Sequence, residues 1–177
     1  NTIGFQALPF LHASFRYSGV GNVEKNHYVE TGFTDWDRSF DVRLNVLKEK
    51  SLIPSLVIGA QDIIGTGRLS SEYVAISKTF LNNNKLTGGL GWGRLGSNSI
   101  STGFGNRNNP GGGDQGGLPR INNIFHGNIG LFGGVETITP IKDLNFKLEY
   151  SSDNYEIDKN LINEKVKSNL NYGLEYF

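Results

Sequence analysis

The 177-residue sequence contains no cysteine, carries no excess charge of either sign and has no long apolar run. Each absence narrows the possibilities. Without cysteine there is neither a disulfide framework nor a thiolate metal site, and the lack fits an oxidising compartment. With 17 basic and 17 acidic residues the formal charge is +0, so no electrostatic footprint for nucleic acid is expected. No segment approaches the roughly 18 apolar residues of a transmembrane helix, and mean hydropathy is −0.33. A membrane is not thereby excluded, because barrel strands alternate and their average stays low. No signal peptide opens the chain; "NTIGF" already reads as mid-strand, and a processed or truncated start is expected. No serine elbow, Walker loop or zinc helix is present. The expectation is a protein that is not an enzyme, with no catalytic residue, metal or cofactor.

What the chain does have is 24 glycines and a two-residue rhythm. In "SFDVRLNVLK" the residues Phe40, Val42, Leu44 and Val46 fall on one phase, and Asp41, Arg43 and Asn45 on the other. Such alternation marks a strand with two unlike faces. The same code runs through "HASFRY", "LNFKLEY" and "NLNYGLEY". Nine strands are predicted: Thr2–Ala7, Leu11–Tyr17, Ser39–Lys48, Ser55–Asp62, Ser71–Phe80, Leu86–Arg94, Asn128–Ile138, Leu144–Tyr150 and Ser168–Phe177. In Ser71–Phe80 the faces are not assignable, because Glu72 and Lys78 share a phase with Val74 and Ile76.

The connections add a second signal. Short ones (Leu8–Phe10, Glu49–Pro54, Leu81–Lys85, Thr139–Asp143) alternate with long ones (Ser18–Arg38, Ile63–Ser70, Leu95–Gly127, Ser151–Lys167). Outer-membrane barrels alternate tight periplasmic turns with long external loops in this way, whereas a Greek-key sandwich has no reason to. The reading is therefore an all-β, antiparallel up-and-down transmembrane barrel, or a segment of one. The alternative is a soluble β-sandwich. One unit spans residues 1–177, with a long Gly/Asn-rich loop at about 95–127. An odd strand count suggests an incomplete barrel, since single-chain bacterial barrels have even numbers.

In a barrel the polar phase lines the lumen: Arg16, Asp41, Arg43, Gln61, Glu136, Lys147, Glu149 and Glu175. Both signs are present and neither dominates, which suits neutral or weakly charged polar material. A turn at Pro140–Asp143 would set Glu136 opposite Lys147. The apolar phase meets lipid: Phe40, Val42, Leu44, Leu144, Phe146, Leu148, Leu170 and Leu174. Aromatics form two interfacial belts, with Phe10, Phe80 and Tyr176 at the short-turn end and Tyr17, Trp36, Trp92 and Tyr150 at the other.

Three further motifs carry weaker signals. "GWGRLG" (91–96) has the letters of a dinucleotide fingerprint, but a Gly- and Asn-rich stretch follows where a helix is needed. "NPGGGDQGG" (109–117) offers calcium a single carboxylate and no repeat; it reads as a flexible loop. His12, His27 and His126 are too scattered for a metal site and read as polar surface or lumen groups.

The segments "ALPFLHASFRY", "RSFDVRLNVL", "IPSLVIGAQDIIGTGRLSSEYVAISK", "GGLGWGRLGS", "GLFGGVE" and "KLEYSSDNY" follow one another in an order that resembles the YjbH family. These are bacterial outer-membrane proteins linked to exopolysaccharide and capsule production. The most specific piece is Gly65-Thr66-Gly67-Arg68-Leu69-Ser70-Ser71-Glu72-Tyr73, close to the family's G-T-G-x-x-S-S-E-Y. The resemblance implies a barrel in the bacterial outer membrane that helps a polysaccharide cross or reach it, as a passive polar conduit. It implies lipid, polysaccharide, further barrel strands from the same or another chain and other export components as partners, and supplies no catalytic residue. Family members are several times longer and open with a signal sequence, often a lipoprotein one, so this chain resembles an early portion of one. The alternatives are a surface carbohydrate-binding or structural module without transport, and a general porin.

Overall fold

The computed structural model describes residues 1–21, 24–25, 28–29, 34–65, 67, 69–80, 84–108, 119, 121–155 and 168–177. These form an all-β, antiparallel structure without an α-helix. Twelve strands are present among the described residues: β1 (Thr2–Leu8), β2 (Leu11–Gly21), β3 (Glu24–Lys25), β4 (Tyr28–Val29), β5 (Thr34–Leu47), β6 (Ser55–Gly65), β7 (Ser71–Thr79), β8 (Lys85–Gly93), β9 (Ser99–Ser101), β10 (Ile129–Ile138), β11 (Leu144–Tyr150) and β12 (Leu170–Tyr176). Ten belong to one sheet, in the order β1-β2-β5-β6-β7-β8-β10-β11-β12 with β9 beside β10; β3 and β4 pair separately. The nine main strands follow one another up and down, as the spacing of the connections predicts. The sheet is open among the described residues: β1 and β12 are its two edges and do not pair.

Two differences from the predicted boundaries have local causes. β2 and β5 continue past Tyr17 and start before Ser39, reaching Gly21 and Thr34. "SGVG" and "TDWDR" lack the alternating code, but they pair with each other, and Tyr17 stacks on Trp36 with centroids 4.8 Å apart. β6 runs to Gly65 because a bulge opposite Asp41 resets its phase. At the bulge Asp62 takes φ 52°, and its N–H donates to Asp41 Oδ1 at 2.9 Å. The Gly/Asn-rich connection is also more structured than its composition suggests. It carries β9 and two 3-10 turns, Arg94–Gly96 and Ile121–Asn123. "NPGGGDQGG" and His27 lie outside the described residues.

No apolar core lies inside this sheet. Among the described residues Ala13 is the buried hydrophobic side chain, at 5% exposure, while Ser39, Asp62, Ser71, Glu72 and Ser152 are buried polar ones. The large apolar residues stand exposed instead, with Leu174 at 68% and Tyr172 at 84%.

Candidate functional site

Residues directly opposite one another on antiparallel strands share a face, and the register therefore sorts every strand. Phe15 faces Phe40, Val42 faces Ala60 and Ile58 faces Val74. Leu90 faces Leu131, and Leu148 lies between Val135 and Tyr172. All eight residues predicted to meet lipid fall on this apolar face. All eight predicted to line a lumen fall on the other. There Arg16 is opposite Ser39, Asp41 opposite Ser14, Arg43 opposite Gly59 and Gln61 opposite Ser71. Lys147 is opposite Glu136, Glu149 opposite Asn171 and Glu175 opposite Asn145.

The polar face is cross-bonded from strand to strand. Asp41 accepts from Ser39 Oγ at 2.6 Å and Ser14 Oγ at 3.4 Å, and Arg16 donates to Asp37 at 3.5 Å. Ser71 Oγ donates to Gln61 at 2.7 Å, and Ser77 bonds Thr87 at 2.8 Å. Lys147 reaches Glu175 at 2.5 Å and Glu136 at 3.9 Å. The last pair is the predicted hairpin pair, although Glu175 is the closer partner.

The ends of the sheet differ. At the short-connection end stand Phe10, Phe80 and Tyr176, all exposed. Lys78 sits at this end, and its ammonium donates to the carbonyls of Lys50 and Ser51 and pairs with Glu49 at 3.3 Å. At the long-connection end stand Tyr17, Trp36, Trp92 and Tyr150. Three of them are exposed, but Trp92 is covered by Phe125 in an edge-to-face contact at 4.9 Å. Glu72 is buried at this end beneath Arg107, which holds it in a two-pronged pair at 2.7 and 3.0 Å. The two charges that obscured the faces of β7 thus lie at its ends, with Val74 and Ile76 between them.

The described residues of "GTGRLSSEY" converge with "GWGRLGS" and "YSSDNY" at the same end. Arg94 pairs with Asp153 and lies over the ring of Tyr155. Arg94 N–H donates to Ser70 O at 3.1 Å, and Ser152 Oγ donates to Leu95 O at 2.5 Å. A 3-10 turn, not a longer helix, follows the glycine-rich strand. The turn folds back over the polar face, where Gly91 and Gly130 are paired. A Cβ at Gly91 would strike Leu95's side chain, and one at Gly130 its carbonyl. Absence of side chains at those positions is what lets the turn seat.

A groove of about 430 Å³ lies on the polar face. Gln61, Glu136, Lys147 and Glu149 border it, as the polar phase suggests. Tyr73, Lys85, Thr87 and Phe132 border it too, and none of these was a candidate. Their signal was present but faint: Tyr73 sits on the polar phase of "SEYVAIS" and Phe132 on that of "GLFGGVE", each across the sheet from glycine.

The sequence profile described as "Exopolysaccharide biosynthesis protein YbjH" matches residues 1–177. "Uncharacterized lipoprotein YjbH" of Escherichia coli (strain K12) is 36% identical over 164 residues, which are 86% of this chain and 23% of the relative. The chain therefore spans about a quarter of that protein's length. No solved structure matches it. With a profile matching from the first residue to the last, this chain belongs to the YjbH family of exopolysaccharide biosynthesis proteins.

Proposed function

We propose that this chain is part of an outer-membrane β-barrel whose polar face lines a passage for an exopolysaccharide. One observation carries the reading: a single two-faced sheet, polar and cross-bonded on one side, apolar and uncovered on the other. In water such an apolar face would need a second layer. In a bilayer lipid serves as that layer, and the polar face encloses the wet interior. The family's link to exopolysaccharide supplies the cargo, and the lipoprotein name of the relative agrees with an envelope location. The proposed mechanism is passive: the wall offers hydrogen bonds in place of water while the polymer moves.

The test is fractionation of the native envelope together with deletion of the gene. Extraction only with detergent, and less exopolysaccharide released by the deletion strain, are the expected results. Release of the protein by urea or carbonate alone would favour the sandwich alternative. The seating of Leu95 against the polar face favours a second reading, a narrow or sealed interior that presents polymer without conducting it. Single-channel recording separates the two, because a sealed barrel gives no conductance steps.

A further inference from the structure

We propose that Tyr73 and Phe132 form a stacking station for neutral sugar residues in the groove on the polar face, an inference that rests on the passage reading above. Tyr73 belongs to β7 and Phe132 to β10, with β8 between them. The β8 residues opposite them are Gly91 and Gly89, so no intervening side chain separates the rings. Their centroids are 6.2 Å apart and the planes meet at 84°. A Cβ at Gly59 would collide with Tyr73's ring, and one at Gly89 with Phe132's. Both rings thus lie low against the sheet and border the groove.

The remaining walls say what kind of ligand fits. Two cations, Lys85 and Lys147, face two anions, Glu136 and Glu149. Lys147 is already paired with Glu175. With Glu175 counted, three carboxylates face two ammonium groups, so the walls offer no cationic excess to select an anionic ligand. Gln61 and Thr87 add an amide and a hydroxyl, each anchored by a serine of β7. A pyranose presents a C–H face, which the negative face of an aromatic ring attracts, and a hydroxyl rim, which needs fixed donors and acceptors. The groove offers both within a volume typical of small-ligand sites, about 300–1,000 Å³. Rings that served only to pack the interior would not need to border an open groove.

The experiment uses the full-length protein in detergent micelles, with neutral α- and β-linked glucose hexamers as probes and isothermal calorimetry as readout. Wild type should bind at least one hexamer. The double variant Tyr73→Leu/Phe132→Leu keeps apolar volume but removes both ring faces, and should bind about tenfold more weakly. Tyr73→Phe should stay within about twofold of wild type, as should Tyr172→Ala on the opposite face. Failure of wild type to bind either hexamer, or undiminished binding by the double variant, overturns the proposal. Exopolysaccharide release from cells keeps the two readings apart. Lost binding with normal dependence of release on the protein removes the station and leaves the passage. Intact, ring-dependent binding with release unaffected by gene deletion removes the passage and leaves the station.

Discussion

Glu72 lies on the apolar phase of β7 and is buried, where an unpaired carboxylate would be costly. Arg107 answers that cost from 35 positions along the chain, with Ser70 Oγ and the Asn123 carbonyl taking its other N–H groups. Breaking a buried pair from one side strands the other charge. Arg107→Leu should therefore destabilise the protein by about 3–5 kcal/mol. Glu72→Leu/Arg107→Leu should recover most of that loss, and urea unfolding in micelles would measure both. Nothing local in "SSEYVAISK" announces this partner. At the other end of β7, Glu49 accepts from the backbone N–H of Thr79 at 2.8 Å and from its hydroxyl at 3.0 Å. That backbone bond, with the hydroxyl and Lys78, holds the Glu49 carboxyl below the ordinary glutamate range against a smaller opposing effect of burial. A lowered folded-state pKa means that acidification protonates the unfolded chain first. The stability from this contact is thus present at neutral pH and lost as pH falls through the ordinary range and then the lowered value. The advantage of wild type over Glu49→Ala should shrink steadily as pH is lowered from 7 through the ordinary glutamate range (unfolding midpoints at each pH), whereas a constant gap would show that the carboxylate is not responsible.

At the scale of the strand, the period of two was enough to place residues on faces, because a pleated backbone sends successive side chains to opposite sides. It told nothing of Asp62, whose bulge shifts the phase of β6, nor of Tyr73 and Phe132, which are apolar-rich rings on the polar phase. Leu148 sits in mid-sheet between Val135 and Tyr172. Leu148→Arg should cost about 2–4 kcal/mol if that position lies near the bilayer midplane. Wild-type assembly of this variant would contradict a lipid-facing β11. The connections give the strands a direction. Phe104 (80% exposed) lies in a long connection and Leu52 (91%) in a short one. Phe104→Cys should react with an impermeant thiol reagent on intact cells, and Leu52→Cys only after the envelope is opened. The opposite pattern would invert the topology.

At the scale of the whole molecule, the sheet has two free edges among the described residues, at β1 and β12. Each unpaired N–H or C=O in hydrocarbon costs several kcal/mol, which lipid contact on an apolar face does not offset. The passage reading therefore requires both edges to pair with further strands, from the same or another chain. Expressed by itself in micelles, the 177-residue chain should not run as a heat-modifiable monomer. A monomer that folds unaided would mean that the edges find each other. What the sequence by itself determined is the all-β class, the order of the nine main strands, the two faces of the strands that alternate cleanly (β7 not among them) and the family, because alternation, turn spacing and motif order are local properties of the chain. Only the tertiary structure decided that Arg107 buries Glu72 and that a 3-10 turn lies on a glycine pair. It alone brought Tyr73 and Phe132 together across β8. Glu72 and Arg107 are 35 positions apart and Tyr73 and Phe132 are 59, and such pairings depend on strand register and on how loops fold back, which no local period encodes.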